Sequence, residues 1–143
     1  MKQENSAVTA LRGVELFAGL DDKTLGRIAQ QTRPYHFAEG EAVIDADSSG
    51  RFGRLYSVVS GTAEARIHDE PIATFGPGQY FGEMSVLDGS PRSAAIVATS
   101  DLETLGLSAW NMRTLMREEP DIAMHVIETL VARLRKVNEA LRD

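Results

Sequence analysis

Hydrophobic positions change their spacing near residues 33 and 108, and the two changes divide the chain into three zones. In the first, residues 10–32, Val14, Leu16, Phe17, Leu20, Leu25, Ile28 and Ala29 recur at roughly helical intervals. Asp21 and Asp22 can cap a short helix that begins near Lys23. Residues 1–9 offer little apolar anchorage and are expected to fray. Pro34 ends the helical pattern. In the second zone, 33–108, short apolar segments follow one another: 35–37, 42–44, 55–59, 62–67, 72–75, 93–98 and 102–107. Turn residues separate them, among them Glu39-Gly40, Ser60-Gly61, His68-Asp69 and Gly76-Pro77-Gly78. Closely spaced short strands predict an antiparallel sandwich or barrel. No helix-length pattern lies between them, which disfavours a parallel, doubly wound sheet.

The third zone, 109–143, is helical. Ser108 is a candidate N-cap, and Trp110, Met112, Leu115 and Met116 are expected on the buried side of the helix it opens. Glu118-Glu119-Pro120 breaks that helix, and a longer one is predicted from Asp121 to Leu141. Within it Ile127, Leu130, Leu134, Val137 and Leu141 alternate steps of three and four, the narrow seam of a two-helix coiled coil. The chain's own β-zone or a second copy can cover that seam, and each can do so along a different part of the helix. No internal repeat is present.

Composition narrows the function classes. The 143 residues are 43% hydrophobic and 25% charged, which fits one globular domain spanning 1–143. Fifteen Lys and Arg stand against 21 Asp and Glu, a net charge of −6, so nucleic acid is not an expected partner. Without cysteine there is no disulfide, thiolate metal site or cysteine nucleophile. No apolar run reaches membrane-spanning length and the first residues lack a signal-peptide core, so no membrane partner and a cytoplasmic location are expected. His36, His68 and His125 are scattered and suit packing or surface positions better than a haem ligand. A calcium loop starting at Asp45 would need glutamate where Tyr56 stands. No nucleophile elbow frames a serine. Neither an enzyme nor a metal or cofactor site is therefore expected.

The segment from Phe81 to Ala95 carries the chemistry. Gly82 allows the backbone to approach a ligand closely. Met84, Ser85 and Val86 open a short helical turn whose unpaired N–H groups attract an anion. Arg92 supplies a guanidinium fork suited to phosphate, and Ser93 a hydroxyl donor beside it. Glu83 repels the same anion, so it must accept hydrogen bonds from a neutral group, and a sugar hydroxyl fits. A nucleotide with its phosphate close to its ribose satisfies both demands.

Phe-Gly-Glu-Met-Ser followed by Pro-Arg-Ser-Ala-Ala resembles the phosphate-binding cassette of cyclic-nucleotide-binding domains, as in catabolite activator-type proteins and regulatory subunits of cyclic-AMP-dependent kinases. Leu16-Phe17-Ala18-Gly19-Leu20, the Leu55-Tyr56 strand leading to Ser60-Gly61, and Gly76 to Glu83 stand in the order that family shows. The resemblance implies a mainly β fold with flanking helices: a jelly-roll-like antiparallel β-roll, short N-terminal helices and a C-terminal helical lid. It implies that Glu83 accepts the ribose 2′-hydroxyl, that Arg92 pairs with the cyclic phosphate, and that Ser93 and backbone N–H groups near Met84 and Ser85 complete the cradle. Ile72 and Phe75 match positions that wall the base pocket. Val137 and Asn138 match positions that touch the base, and Arg133 a basic position that reaches the cassette glutamate. Ser93, in place of threonine, resembles the cyclic-AMP pattern rather than the cyclic-GMP one.

The chain departs from the family in the turn Asp45 to Gly53, which reads as slightly longer than usual. The expected function is a cyclic-nucleotide sensor module that closes its last helix over the ligand, with a homodimer through that helix as a possible readout. Two alternatives stand beside it: the ligand-binding part of a transcription regulator whose DNA-binding domain is not in these 143 residues, and an interaction scaffold with a vestigial pocket.

Overall fold

The computed structural model describes residues 2–44, 53–89 and 94–142. The turn noted at Asp45–Phe52, and Arg92 and Ser93 of the cassette, lie outside the described residues. Helix α1 (Lys2–Arg12), a 3₁₀ turn (Glu15–Phe17) and α2 (Asp22–Gln31) precede the strands. Strands β1 (Arg33–Phe37), β2 (Ala42–Ile44), β3 (Arg54–Ser60), β4 (Ala63–Ile67), β5 (Glu70–Phe75) and β6 (Tyr80–Phe81) lead to a short helix, α3 (Glu83–Asp88). Strands β7 (Ala95–Ala98) and β8 (Leu102–Ser108) follow, then α4 (Ala109–Glu118) and α5 (Pro120–Arg142). Two caps act where the sequence places them. The Asp21 carboxylate accepts from the Thr24 N–H, and the Ser108 hydroxyl accepts from the Asn111 N–H.

The strands form two four-stranded antiparallel sheets, ordered β1-β8-β3-β6 and β2-β7-β4-β5. This is the antiparallel β-roll with flanking helices that the resemblance implies. The first sheet is covered on both faces, so β3 is buried from Leu55 to Val58 without alternation. One of its faces looks into the roll, where Tyr56, Val58, Phe81, Ile96, Ala98 and Leu102 pack together. Its other face carries Leu55, Tyr80 and Leu107 against the helices, which contribute Leu11, Phe17, Leu25, Ile28, Met112 and Ile122. Consecutive strand residues point to opposite faces, so Tyr80 joins the helical core and Phe81 the roll interior. Gly61, at φ +88°, turns β3 into β4. A Cβ there would lie 2.0 Å from the Asp101 carbonyl oxygen, a position no other residue can occupy unmoved.

Two expectations are corrected. Residues 2–9 do not fray: they lie in α1, which docks Leu11 fully buried, with Ala7 and Val8 packed behind it. These three, at helical spacing, supply enough apolar surface to hold an otherwise polar segment. Trp110 is not on the buried side of α4 but 76% exposed. The Ser108 cap fixes the helix phase so that Met112 and Leu115 turn inward, and Trp110 lies about 200° from Met112. On α5 only Leu130 of the five seam residues packs on the core; Ile127, Leu134, Val137 and Leu141 are exposed. No described helix is long and apolar enough to cross a membrane.

Candidate functional site

The site grows out of the end of β6. After Phe81 the chain must leave the sheet and begin a helix within one residue. Gly82 makes that turn at φ +90°, a conformation that a Cβ disfavours. Its carbonyl oxygen accepts the Val86 N–H at 3.3 Å and so closes the first turn of α3. Glu83 is the first residue of that helix and is only 8% exposed. Met84 follows at 67% exposure, and Ser85 comes next in the same helix.

A carboxylate this buried needs partners. One comes from α5. Arg133 Nη1 donates to Glu83 Oε1 at 3.4 Å, a long contact, and to the Tyr80 hydroxyl oxygen at 2.8 Å, a short one. The guanidinium carbon also lies 5.1 Å from the centre of the Tyr80 ring, within cation–π range. Burial pushes the Tyr80 hydroxyl pKa upward, against the pull of Arg133, so the hydroxyl meets Arg133 as a neutral acceptor. Desolvation alone would lower the Arg133 pKa. The Tyr80 hydrogen bond and the charges of Glu83 and Glu15 oppose it, the guanidinium pKa is raised, and Arg133 stays charged.

On the roll side the site has an aromatic floor. The Phe81 and Tyr56 rings stack with centroids 5.5 Å apart, and Phe75 of β5 lies 5.2 Å from Phe81. Ile72, three residues before Phe75 on β5, is 56% exposed. Val137 and Asn138 lie one turn beyond Arg133 on α5, both exposed.

The structure thus gathers Gly82, Glu83 and Arg133 at one point and sets Phe75 in the aromatic cluster behind it. It leaves Ile72, Met84, Val137 and Asn138 open to solvent. Tyr80 is the site residue that sequence reasoning missed. Tyr80 stands between Gln79 and Phe81 with no motif to mark its hydroxyl, and its partner lies 53 positions away.

A groove of about 770 Å³ lies elsewhere, between α1, α2 and the β1–β8 edge, with Ala7, Gln30, Tyr35, Val59 and Leu105 on its walls. Its lining holds Glu103 and no Lys or Arg, and its one histidine, His36, is paired with Asp101. Its size does not outweigh the chemistry collected at Glu83.

Comparison with known proteins bears on this geometry. The family model described as cyclic nucleotide-binding domain matches residues 34–119. A "CRP-like cAMP-activated global transcriptional regulator" of Mycobacterium tuberculosis is 27% identical over 133 residues, covering 90% of this chain and 58% of that protein. A "Cyclic AMP receptor protein" of Thermus thermophilus is 32% identical, covering 90% of this chain and 61% of that protein. The N-terminal domain of a transcriptional regulator from Streptomyces coelicolor superposes with a TM-score of 0.76 at 27% identity, covering 92% of this chain and 94% of that one. The chain spans about three-fifths of the length of the two curated relatives.

Proposed function

This chain belongs to the cyclic-nucleotide-binding domain family, and from that premise we propose that it is a sensor for a purine cyclic nucleotide, cyclic AMP in preference to cyclic GMP. The observation that carries the reading is the buried Glu83 carboxylate, set behind the positive-φ Gly82 and touched by Arg133 from the terminal helix. A buried acid whose ion-pair contact among the described residues is a single long one retains acceptor capacity, and a vicinal sugar hydroxyl can fill it. Arg92 and Ser93, with the N–H groups near Met84 and Ser85, take the cyclic phosphate in this reading. Ile72 and Phe75 flank the base on the roll side, and Val137 and Asn138 meet it from α5.

The mechanism is closure of α5. From Val131 to Arg142 every residue of α5 is exposed, so half of the helix stands free of the core. A ligand that contacts both the cassette and α5 favours the docked position and shifts the equilibrium toward it. Its readout is a homodimer. With Leu130 turned to the core, the exposed stripe reads Met124, Ile127, Val131, Leu134, Asn138 and Leu141. These fill successive a and d positions of a two-helix pair.

A second reading draws on the relatives' names and the partial coverage of their length: the ligand-binding part of a longer transcription regulator. It keeps the same site and changes only what α5 signals to.

Calorimetric titration with cyclic AMP, cyclic GMP and 2′-deoxy cyclic AMP tests the proposal. The wild-type chain is expected to bind cyclic AMP most tightly. Glu83→Ala should weaken cyclic AMP by about tenfold or more, with a much smaller effect on the 2′-deoxy analogue. Equal losses for the two would remove Glu83 as the sugar acceptor. No heat and no thermal shift with any nucleotide would leave the vestigial scaffold standing.

A further inference from the structure

We propose that Tyr80 is the positioning residue for Arg133, holding its guanidinium at the edge of Glu83 so that the carboxylate stays open to a sugar hydroxyl and the free half of α5 stays tethered to β6. The inference rests on the reading of Glu83 as the sugar acceptor.

The distances carry the argument. Nη1 lies 2.8 Å from the neutral Tyr80 hydroxyl but 3.4 Å from the charged Glu83 oxygen. Charge attraction alone sets the opposite order, since guanidinium–carboxylate hydrogen bonds settle near 2.7–2.9 Å and favour two parallel contacts. Two features of Tyr80 hold the cation back from that pairing: the hydroxyl that accepts Nη1–H, and the ring under Cζ at 5.1 Å. Tyr80 is itself 3% exposed and packed in the helical core, so it is a fixed post, whereas Arg133 extends from an exposed helix. Without the hydroxyl, Arg133 is free to close on Glu83 through both carboxylate oxygens, where it competes with a 2′-hydroxyl. Tyr80 also acts at the level of the helix. Among the described residues, Arg133 is the member of the exposed half of α5 with a hydrogen bond to the β-roll. The Tyr80 contact is the shorter of its two.

The test uses the whole chain in four forms: wild type, Tyr80→Phe, Arg133→Ala and the double variant. Tyr80→Phe keeps the ring and the packing, and thermal melting checks that it folds. Two quantities are measured. One is the preference for cyclic AMP over its 2′-deoxy analogue. The other is amide hydrogen exchange of residues 131–137 without nucleotide. Tyr80→Phe should lower the preference about three- to tenfold and speed that exchange by a similar factor, with the amides of β3 and β8 unchanged. On the Arg133→Ala background the same substitution should change neither quantity.

The proposal is overturned if Tyr80→Phe acts equally with and without Arg133, if it weakens both nucleotides alike, or if it leaves preference and exchange at wild-type values. Should the wild-type chain bind neither nucleotide, the sugar-acceptor reading falls. The exchange measurement then decides the tether by itself.

Discussion

At the scale of single residues, polar side chains decide what the fold can do, and most of them work through a neighbour. Glu83 depends on Gly82 for its place and on Arg133 for its charge balance. His36 is a simpler case, outside the site. Its Nε2 lies 2.8 Å from Asp101, so β1 is tied to the β7–β8 turn. The hydrogen bond to Asp101, and then the Asp101 charge, raise the His36 pKa above its ordinary 6.5. The folded chain therefore holds the proton more tightly than the unfolded one. The resulting stabilisation is full below pH 6.5 and is lost as pH rises through the raised value. Urea unfolding of wild type and His36→Gln at pH 5.5 and 8.5 checks this. The two should differ at the lower pH and converge at the higher. A gap that is constant or widens with pH would contradict it. Both side chains are exposed, and the pair's effect should shrink in high salt.

At the scale of elements, legibility in the sequence followed period and cap. The β-strands from Tyr35 to Leu107 stood out because turn residues bracket each one, and Asp21 and Ser108 marked their helices through cap chemistry. Strand β6 did not, because two residues carry no period; it exists through its pairing with Tyr56 and Ser57 of β3. Helix α1 was hidden because Lys2 to Ser6 is wholly polar, and its anchor is tertiary. In α5 the heptad was visible but its phase was not. Only the packing of Leu130 on the core shows which stripe remains free. That stripe predicts an assembly. Leu134→Lys, at 59% exposure in the wild type, should leave the melting temperature of the β-roll near its original value. It should also weaken self-association by about thirtyfold or more, measured by sedimentation equilibrium. A variant that dimerises like wild type would rule out α5 as the contact.

At the scale of the whole molecule, the two cores explain how binding can reach the outside. The roll interior fixes the cassette end of β6, while the helical core fixes the first half of α5 through Ile122 and Val126. Between them, the Tyr80–Arg133–Glu83 contact joins a rigid sheet to a free helix end. A ligand placed there meets both parts at once. Gly82 and Glu83 were legible in the sequence because they stand side by side in one short motif. The Tyr80–Arg133 contact arises only when residues 53 positions apart meet. The central claim is that one pocket takes an anion at Arg92 and a sugar at Glu83. Calorimetric titration of cyclic AMP into wild type, Arg92→Ala and Arg66→Ala tests it most directly. Arg66 is a suitable control because its guanidinium is already paired, with Glu64 on β4. The account predicts saturable binding to wild type, near-equal affinity for Arg66→Ala, and a loss of at least about thirtyfold for Arg92→Ala. Equal affinities for the two arginine variants would contradict it.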